Sequence, residues 1–210
     1  MLAVKLTVPI ACWRKGYARE LLETEVLPPP ATCYGALLSL VGEVDRRRHL
    51  GCRVSAAVCG PRKPPSQILR TLWRIKDLET PQGNGQNARP DFQQLLIQTT
   101  VMVFCDQGDE PTQQESLEAR VRAAFEQPSN VSRFGGWSLG ESTHLINDAW
   151  LLPDAQPDEP CDAFLLDSTG NLTLPVWVDH IGTAKTRYAV GRLTPLTAPP
   201  KPDSLPLILQ

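Results

Sequence analysis

Leu2, Val4, Leu6, Val8 and Ile10 alternate with Ala3, Lys5, Thr7 and Pro9, the period-2 pattern of a strand with one buried face. Pro9 has no N–H for a ladder and marks an edge or a strand end. After the run Pro28-Pro29-Pro30, the apolar spacing changes. Tyr34, Leu37, Leu38 and Val41 fall at i, i+3, i+4 and i+7, which predicts a helix buried on one side, with Pro30 in its first turn and Gly42 at its end. Residues 52–59 read as a second short strand. Between 67 and 92 an apolar and basic mix (Ile68, Leu69, Arg70, Leu72, Trp73, Arg74, Ile75, Lys76) leads into a Gly/Asn-rich tip at 80–87, and 95–105 returns as a strand rich in Ile, Val and Thr. That order predicts a long projecting hairpin, although the spacing of Leu69, Trp73 and Lys76 fits a helix equally well.

Thr112-x-x-Glu115 has the form of a capping box. It opens a predicted helix carrying Leu117, Val121, Ala124 and Phe125 that stops before Pro128. Beyond it come a loop at 132–142, an apolar run at 145–152, an acidic proline-rich loop at 153–160, and strands at 171–181 and 186–194. The last 16 residues hold five prolines and read as an extended tail. The element order predicts an α+β fold close to a β-α-β-β-α-β ferredoxin-like antiparallel sheet, as in RNA-recognition and RAMP-type domains, with helices on one face. A projecting hairpin and a small C-terminal β region complete it. The expected divisions are residues 1–150 with an insertion at about 66–92, a β extension at 151–195, and a proline-rich tail at 196–210. Such a sheet serves enzymes and binding modules alike, so fold alone does not decide function.

Twenty prolines in 210 residues are about twice the usual share of roughly 5%. With 41% hydrophobic and 21% charged residues the chain can still fill a core, so the prolines punctuate a globular protein. No apolar run approaches the roughly 18 residues of a membrane span, and the N-terminal segment lacks the pattern of a signal peptide. A soluble, cytoplasmic protein is expected. In that compartment the six cysteines stay reduced, and Cys52, Cys59 and Cys105 read as buried thiols. Without clustered Cys or His ligands, no metal and no cofactor are expected.

The net charge of −2 conceals an asymmetry. Residues 1–105 carry 14 Lys/Arg against 8 Asp/Glu, residues 106–179 carry 3 against 14, and residues 180–210 carry 4 against 1. A basic first half can form a polyanion-binding face inside a chain that is acidic overall.

The most unusual segment is Arg133-Phe134-Gly135-Gly136-Trp137-Ser138-Leu139-Gly140-Glu141-Ser142. Its glycines let backbone N–H groups approach a ligand, and Arg133 adds charge, a combination that can cradle phosphates. It is neither a P-loop nor a dinucleotide fingerprint. Taken alone, it also fits a tight turn before a strand.

Two strings together resemble the Cas five family of CRISPR-associated proteins, in its DevS-type and type I-B forms. One is Pro28-Pro29-Pro30-Ala31-Thr32-Cys33-Tyr34-Gly35-Ala36-Leu37-Leu38 with Val41-Gly42-Glu43. The other is Arg133-Phe134-Gly135-Gly136 through Leu139-Gly140-Glu141-Ser142-Thr143-His144. Residues 70–77 and Arg89-Pro90-Asp91-Phe92 fit the family's hairpin region. The resemblance implies a RAMP subunit of a type I Cascade, with a β-hairpin thumb. Such a subunit binds the 5′ handle of the CRISPR RNA, caps the Cas seven backbone and contacts the Cas eight-type large subunit, reaching target DNA through the assembled complex. One branch of the family cuts precursor RNA with a Tyr, Lys and His set. Here Lys76 precedes Asp77 and His144 follows Thr143, so the Lys-His pair is missing and no catalytic residue is expected.

A single-stranded handle is held by cations on its phosphates and aromatic faces against its bases. The expected contacts are Arg14, Lys15, Tyr17 and Arg19 after the first strand, and Arg70, Trp73, Arg74, Lys76 and Arg89 on or beside the hairpin. Arg133, Gly135, Gly136, Gly140, Ser142 and His144 complete the set in the glycine-rich segment. Tyr34 reads as core, and Arg46, Arg47 and Arg48 as a solvated helix end. Two alternatives stay open: a ribonuclease using Tyr17, Lys76 or His144, and a protein adaptor docking through its acidic span.

Overall fold

The computed structural model describes residues 1–16, 21–73, 79 and 87–210; the side chains of 71–73, 88 and 89 are not described. Nine strands and two helices lie within these residues. In chain order they are β1 (Leu2–Ala11), β2 (Leu21–Leu22), α1 (Pro30–Leu40), β3 (Arg53–Cys59), β4 (Ser66–Trp73), β5 (Ala88–Asp106), α2 (Leu117–Glu126), β6 (Asp148–Leu152), β7 (Cys161–Leu166), β8 (Leu172–Trp177) and β9 (Arg187–Leu196). The main sheet runs β6-β1-β5-β3-β7-β9-β8, with antiparallel neighbours throughout.

The β1 alternation has the predicted consequence. Leu2, Val4, Leu6 and Val8 point into a core shared with Val101 and Val103 of β5, Leu37 and Leu38 of α1, and Leu117 and Val121 of α2. Both helices therefore lie on one face of the sheet. The opposite face is covered too: Ala3, Ala57, Met102 and Phe104 pack with Ala155 and Leu205, and Lys5 is paired with Asp158 and Glu159, each at 2.8 Å. β8 reaches the helix side as well, since Leu174 and Trp177 belong to the same core as α1.

β5 is 19 residues long and serves two pairings. Its C-terminal part lies between β1 and β3, with Leu2 opposite Cys105 and Val54 opposite Cys105. Its N-terminal part pairs with β4, from Ser66↔Leu95 to Trp73↔Ala88. Between the two stands Gln98, with a left-handed φ of 50°. Residues 66–73 are thus strand and not helix, while 80–86 of the expected tip lie outside the described residues.

Several expectations need correction. The second helix starts at Leu117, capped by the Ser116 hydroxyl, which accepts from the Ala119 amide at 3.2 Å. The Glu110 carboxylate also accepts from the Leu117 amide, at 3.1 Å, leaving Thr112 and Glu115 no capping role. Cys59 is not a free thiol: β3 and β7 set it directly opposite Cys161, and the two form a disulfide. Cys52 and Cys105 are buried thiols as expected, and Cys33 is a further one; burial raises all three pKa values, which keeps them as unreactive thiols. β7 went unpredicted. The proline-rich end is docked: Gly51 and Val54 amides donate to Ile208 and Pro206 carbonyls, and Ile208 donates back to Cys52. Leu205 and Ile208 are fully buried.

A buried polar cluster sits beneath α2. His49 Nδ1 lies 2.5 Å from Glu110 Oε1. Arg120 Nη1 lies 2.9 Å from His49 Nε2 and donates to Glu43 Oε2 at 2.5 Å. His49 and Glu110 are fully enclosed, so the cluster fixes α2 against the turn after α1.

Candidate nucleic-acid interface

The glycine-rich loop is held from three sides. Trp137 Nε1 donates to the Ala36 carbonyl of α1 at 2.8 Å. Trp13 Nε1 donates to the Leu139 carbonyl at 3.2 Å, with the indole buried to 1% exposure. Glu141 receives Arg70 Nη1 and Gln93 Nε2, both at 2.9 Å, which ties the loop to the β4–β5 pair. Gly140, at φ 112°, passes so close to the chain that a Cβ would stand 3.1 Å from the Cys12 carbonyl. A side chain has no room there.

His144 is turned inward. Its ring is 6% exposed, and Nδ1 accepts from the Cys12 amide at 3.2 Å. Burial depresses its pKa, with Arg70 adding to the effect and Glu141 opposing it. The neutral ring therefore serves as a staple between β1 and the loop. Arg70 is also engaged, bridging Gln93 Oε1 at 2.5 Å and Glu141.

The outer side of the loop is open. Arg133, Gly135, Gly136, Gly140 and Ser142 are exposed. Arg133 donates to the Gly135 carbonyl at 3.3 Å and stands 6.0 Å from the Trp137 ring centre. Phe134, absent from the expected contacts, is fully exposed. Its place inside the Arg-Phe-Gly-Gly string was the available signal.

On the α1 side the loop borders a cleft of about 300 Å³ lined by Thr32, Gly35, Ser39, Arg46, Ser138 and His180. Gly35 leaves its floor open, with nothing within 4 Å of an added Cβ. Arg46 is not a freely solvated helix end: its guanidinium lies 3.8 Å from the Trp177 ring centre and donates to the Val178 carbonyl at 2.8 Å. Nearby, Arg14 is exposed and bridges Thr24, and Lys15 faces Glu23 at 3.8 Å.

The structure thus brings Arg14, Lys15 and the loop residues to one end of the sheet, since β1 ends at Ala11 beside the loop and Cys12 binds His144. Trp73 and Arg89 belong to the β4–β5 pair, but their side chains are not described. Tyr17, Arg19, Arg74 and Lys76 lie outside the described residues. Among the described residues no group of three His, Cys, Asp or Glu side chains forms a cation site, and no helix is long and apolar enough to cross a membrane.

No protein-family model matches the chain. In fold, it resembles a chain of a solved CRISPR RNA-guided surveillance complex, with a TM-score of 0.60 at 12% identity over 94% of this chain and 90% of that one. A solved Cas protein is a looser likeness, with a TM-score of 0.49 at 14% identity and 94% coverage of both chains. The first likeness is one of fold, an α+β architecture shared with a chain of that complex. In sequence, the chain is 62% identical over 208 residues to CRISPR-associated protein Cas5 of Myxococcus xanthus (strain DK1622), covering 99% of this chain and 97% of that one. It belongs to the Cas5 family.

Proposed function

We propose that this chain is a non-catalytic subunit of a type I CRISPR Cascade that holds the 5′ handle of the CRISPR RNA. The observation that carries the reading is the convergence of the glycine-rich loop, the open face of α1 and the Arg14–Lys15 turn at one end of the sheet. Exposed amides of Gly135, Gly136 and Gly140 and the Arg133 guanidinium suit phosphates. The exposed Phe134 ring and the cleft lined by Ser138 and Gly140 suit an unstacked base. His144 and Arg70 hold the loop in place, which leaves His144 unavailable for acid–base cleavage and supports a role without catalysis.

In this reading the strand order β6-β1-β5-β3, with α1 after β1 and α2 after β5, is the ferredoxin-like unit. The β4–β5 pair, which includes Trp73 and Arg89, is the base of the thumb, and Arg74 and Lys76 follow β4 in the sequence. Residues 151–195 form the C-terminal extension. The acidic surface beyond residue 105 faces the other subunits, with the Cas seven backbone and a Cas eight-type large subunit as partners, and target DNA is met through the assembled complex.

The test is reconstitution of the complex with Arg14→Ala, Arg74→Ala and Arg133→Ala subunits, followed by recovery and sizing of the bound RNA. The reading expects each variant to lose handle-bearing RNA. Full retention in all three sinks it.

A further inference from the structure

The connection between β8 and β9, residues 178–186, is braced by a single carboxylate. Asp179 accepts from the amides of Ile181 at 3.1 Å, Lys185 at 3.2 Å and Gly182 at 3.4 Å. Its own amide donates to the Thr186 hydroxyl at 3.1 Å, and Thr186 donates to the Thr183 carbonyl at 3.0 Å. Thr183 is held at a left-handed φ of 61°. The amides of Ile181 and Lys185 in particular hold the Asp179 carboxyl below its ordinary pKa, with the Lys185 charge adding to the effect, so an ionised carboxylate fixes the turn from within.

What this turn presents is basic. His180, Lys185 and Arg187 are all exposed, and among the described residues none of the three is in a salt bridge. His180 lines the same cleft as Thr32 of α1 and Ser138 and Gly140 of the glycine-rich loop. Arg187 is opposite Trp177 in the strand register, and Trp177 already carries the Arg46 guanidinium on its ring. Trp177 thus has one arginine on its ring and another opposite it in the strand pairing, and among the described residues neither has a carboxylate partner. Concentrating like charge without a counter-ion is unfavourable in the free protein and favours an anionic occupant. Just beyond, the hydroxyl of the half-exposed Tyr188 stands 3.9 Å from where a Cβ on Gly16 would lie, which closes the gap between this wall and the Arg14–Lys15 turn.

Resting on the RNA-handle reading, we infer that the β8–β9 turn is a second wall of the same RNA site. Lys185 and Arg187 contact backbone phosphates across the cleft from the glycine-rich loop, with Arg46 and His180 between them. Asp179 is the positioning residue that keeps the turn in shape. None of these residues belongs to either motif string.

Fluorescence anisotropy of a labelled single-stranded RNA carrying the handle, titrated with the full chain at several salt concentrations, tests this. Two lost phosphate contacts on a single strand lower the salt slope by about 1.4 and weaken binding roughly tenfold at moderate salt. The Lys185→Ala/Arg187→Ala double variant is expected to show both changes with an unaltered melting temperature. Asp179→Ala, which keeps every cation, is expected to weaken binding with the salt slope less affected. If the wild-type chain binds and the double variant matches it in affinity and slope, the second wall is refuted while the handle reading stands. The same holds if the double variant binds RNA normally but fails to join the assembled complex, which would make the turn a protein contact. If the wild-type chain binds no RNA, both readings fall.

Discussion

Arg70 Nη1 lies 2.9 Å from Glu141 Oε2, so a strand residue of the β4–β5 pair grips the far end of the glycine-rich loop. Both side chains are about one-third exposed, which limits the worth of the pair. A double-mutant cycle on Arg70→Ala and Glu141→Ala is expected to give a coupling of about 1 kcal/mol in urea unfolding. Additive effects would show that the loop and the strand pair are independent.

The two glycines bordering the cleft should respond in opposite directions. Gly140→Ala meets the Cys12 carbonyl at 3.1 Å from a left-handed backbone, and a loss above about 1 kcal/mol is expected. Gly35→Ala sits inside α1 with open space around it, and a gain of roughly 0.5–1 kcal/mol is expected. Because Gly35 floors the cleft, the same alanine should weaken RNA binding in the more stable protein. Melting temperatures and anisotropy together check both halves.

His144 makes stability depend on pH in a defined direction. Its pKa is lowered below 6.5 in the folded chain, so between the two values the unfolded state binds more protons than the native one. Stability is then complete above about pH 6.5 and declines as the pH falls toward the folded pKa. Urea midpoints at pH 7.5 and 5.5 should differ more for the wild type than for His144→Gln. Equal differences would remove the staple from the account.

The docked C-terminal segment predicts large losses where a free tail would give none. Leu205 and Ile208 are both 0% exposed, and replacing either by alanine is expected to cost about 2–5 kcal/mol. Denaturant unfolding of the two variants measures this directly; wild-type midpoints would mean that the segment is not part of the core.

What the sequence disclosed depended on whether a residue's partners were local. β1 was readable because Leu2 to Val8 alternate over one helical layer, and the loop was readable because its glycines and Arg133 are contiguous. The Ser116 cap escaped because Thr112 and Glu115 offered a better-looking box, and only Glu110, which binds the Leu117 amide from outside the helix, decides between them. β7 escaped because its buried positions follow no clean period. His49 with Glu110, Trp13 with Leu139, and Cys59 with Cys161 are separated by 61, 126 and 102 residues, so no spacing rule connects them. The β8–β9 turn was equally silent, since His180, Lys185 and Arg187 are scattered singly along the chain.

β5 has a mechanical consequence. One unbranched length of chain is both the keel of the sheet, wedged between β1 and β3, and the inner arm of the β4 pairing, turning only at Gln98. No linker lies between the two roles. A partner that grips the outer arm is therefore hauling on the middle of the molecule, and any twist it imposes is delivered at Gln98, close to where Cys12 and the glycine-rich loop meet.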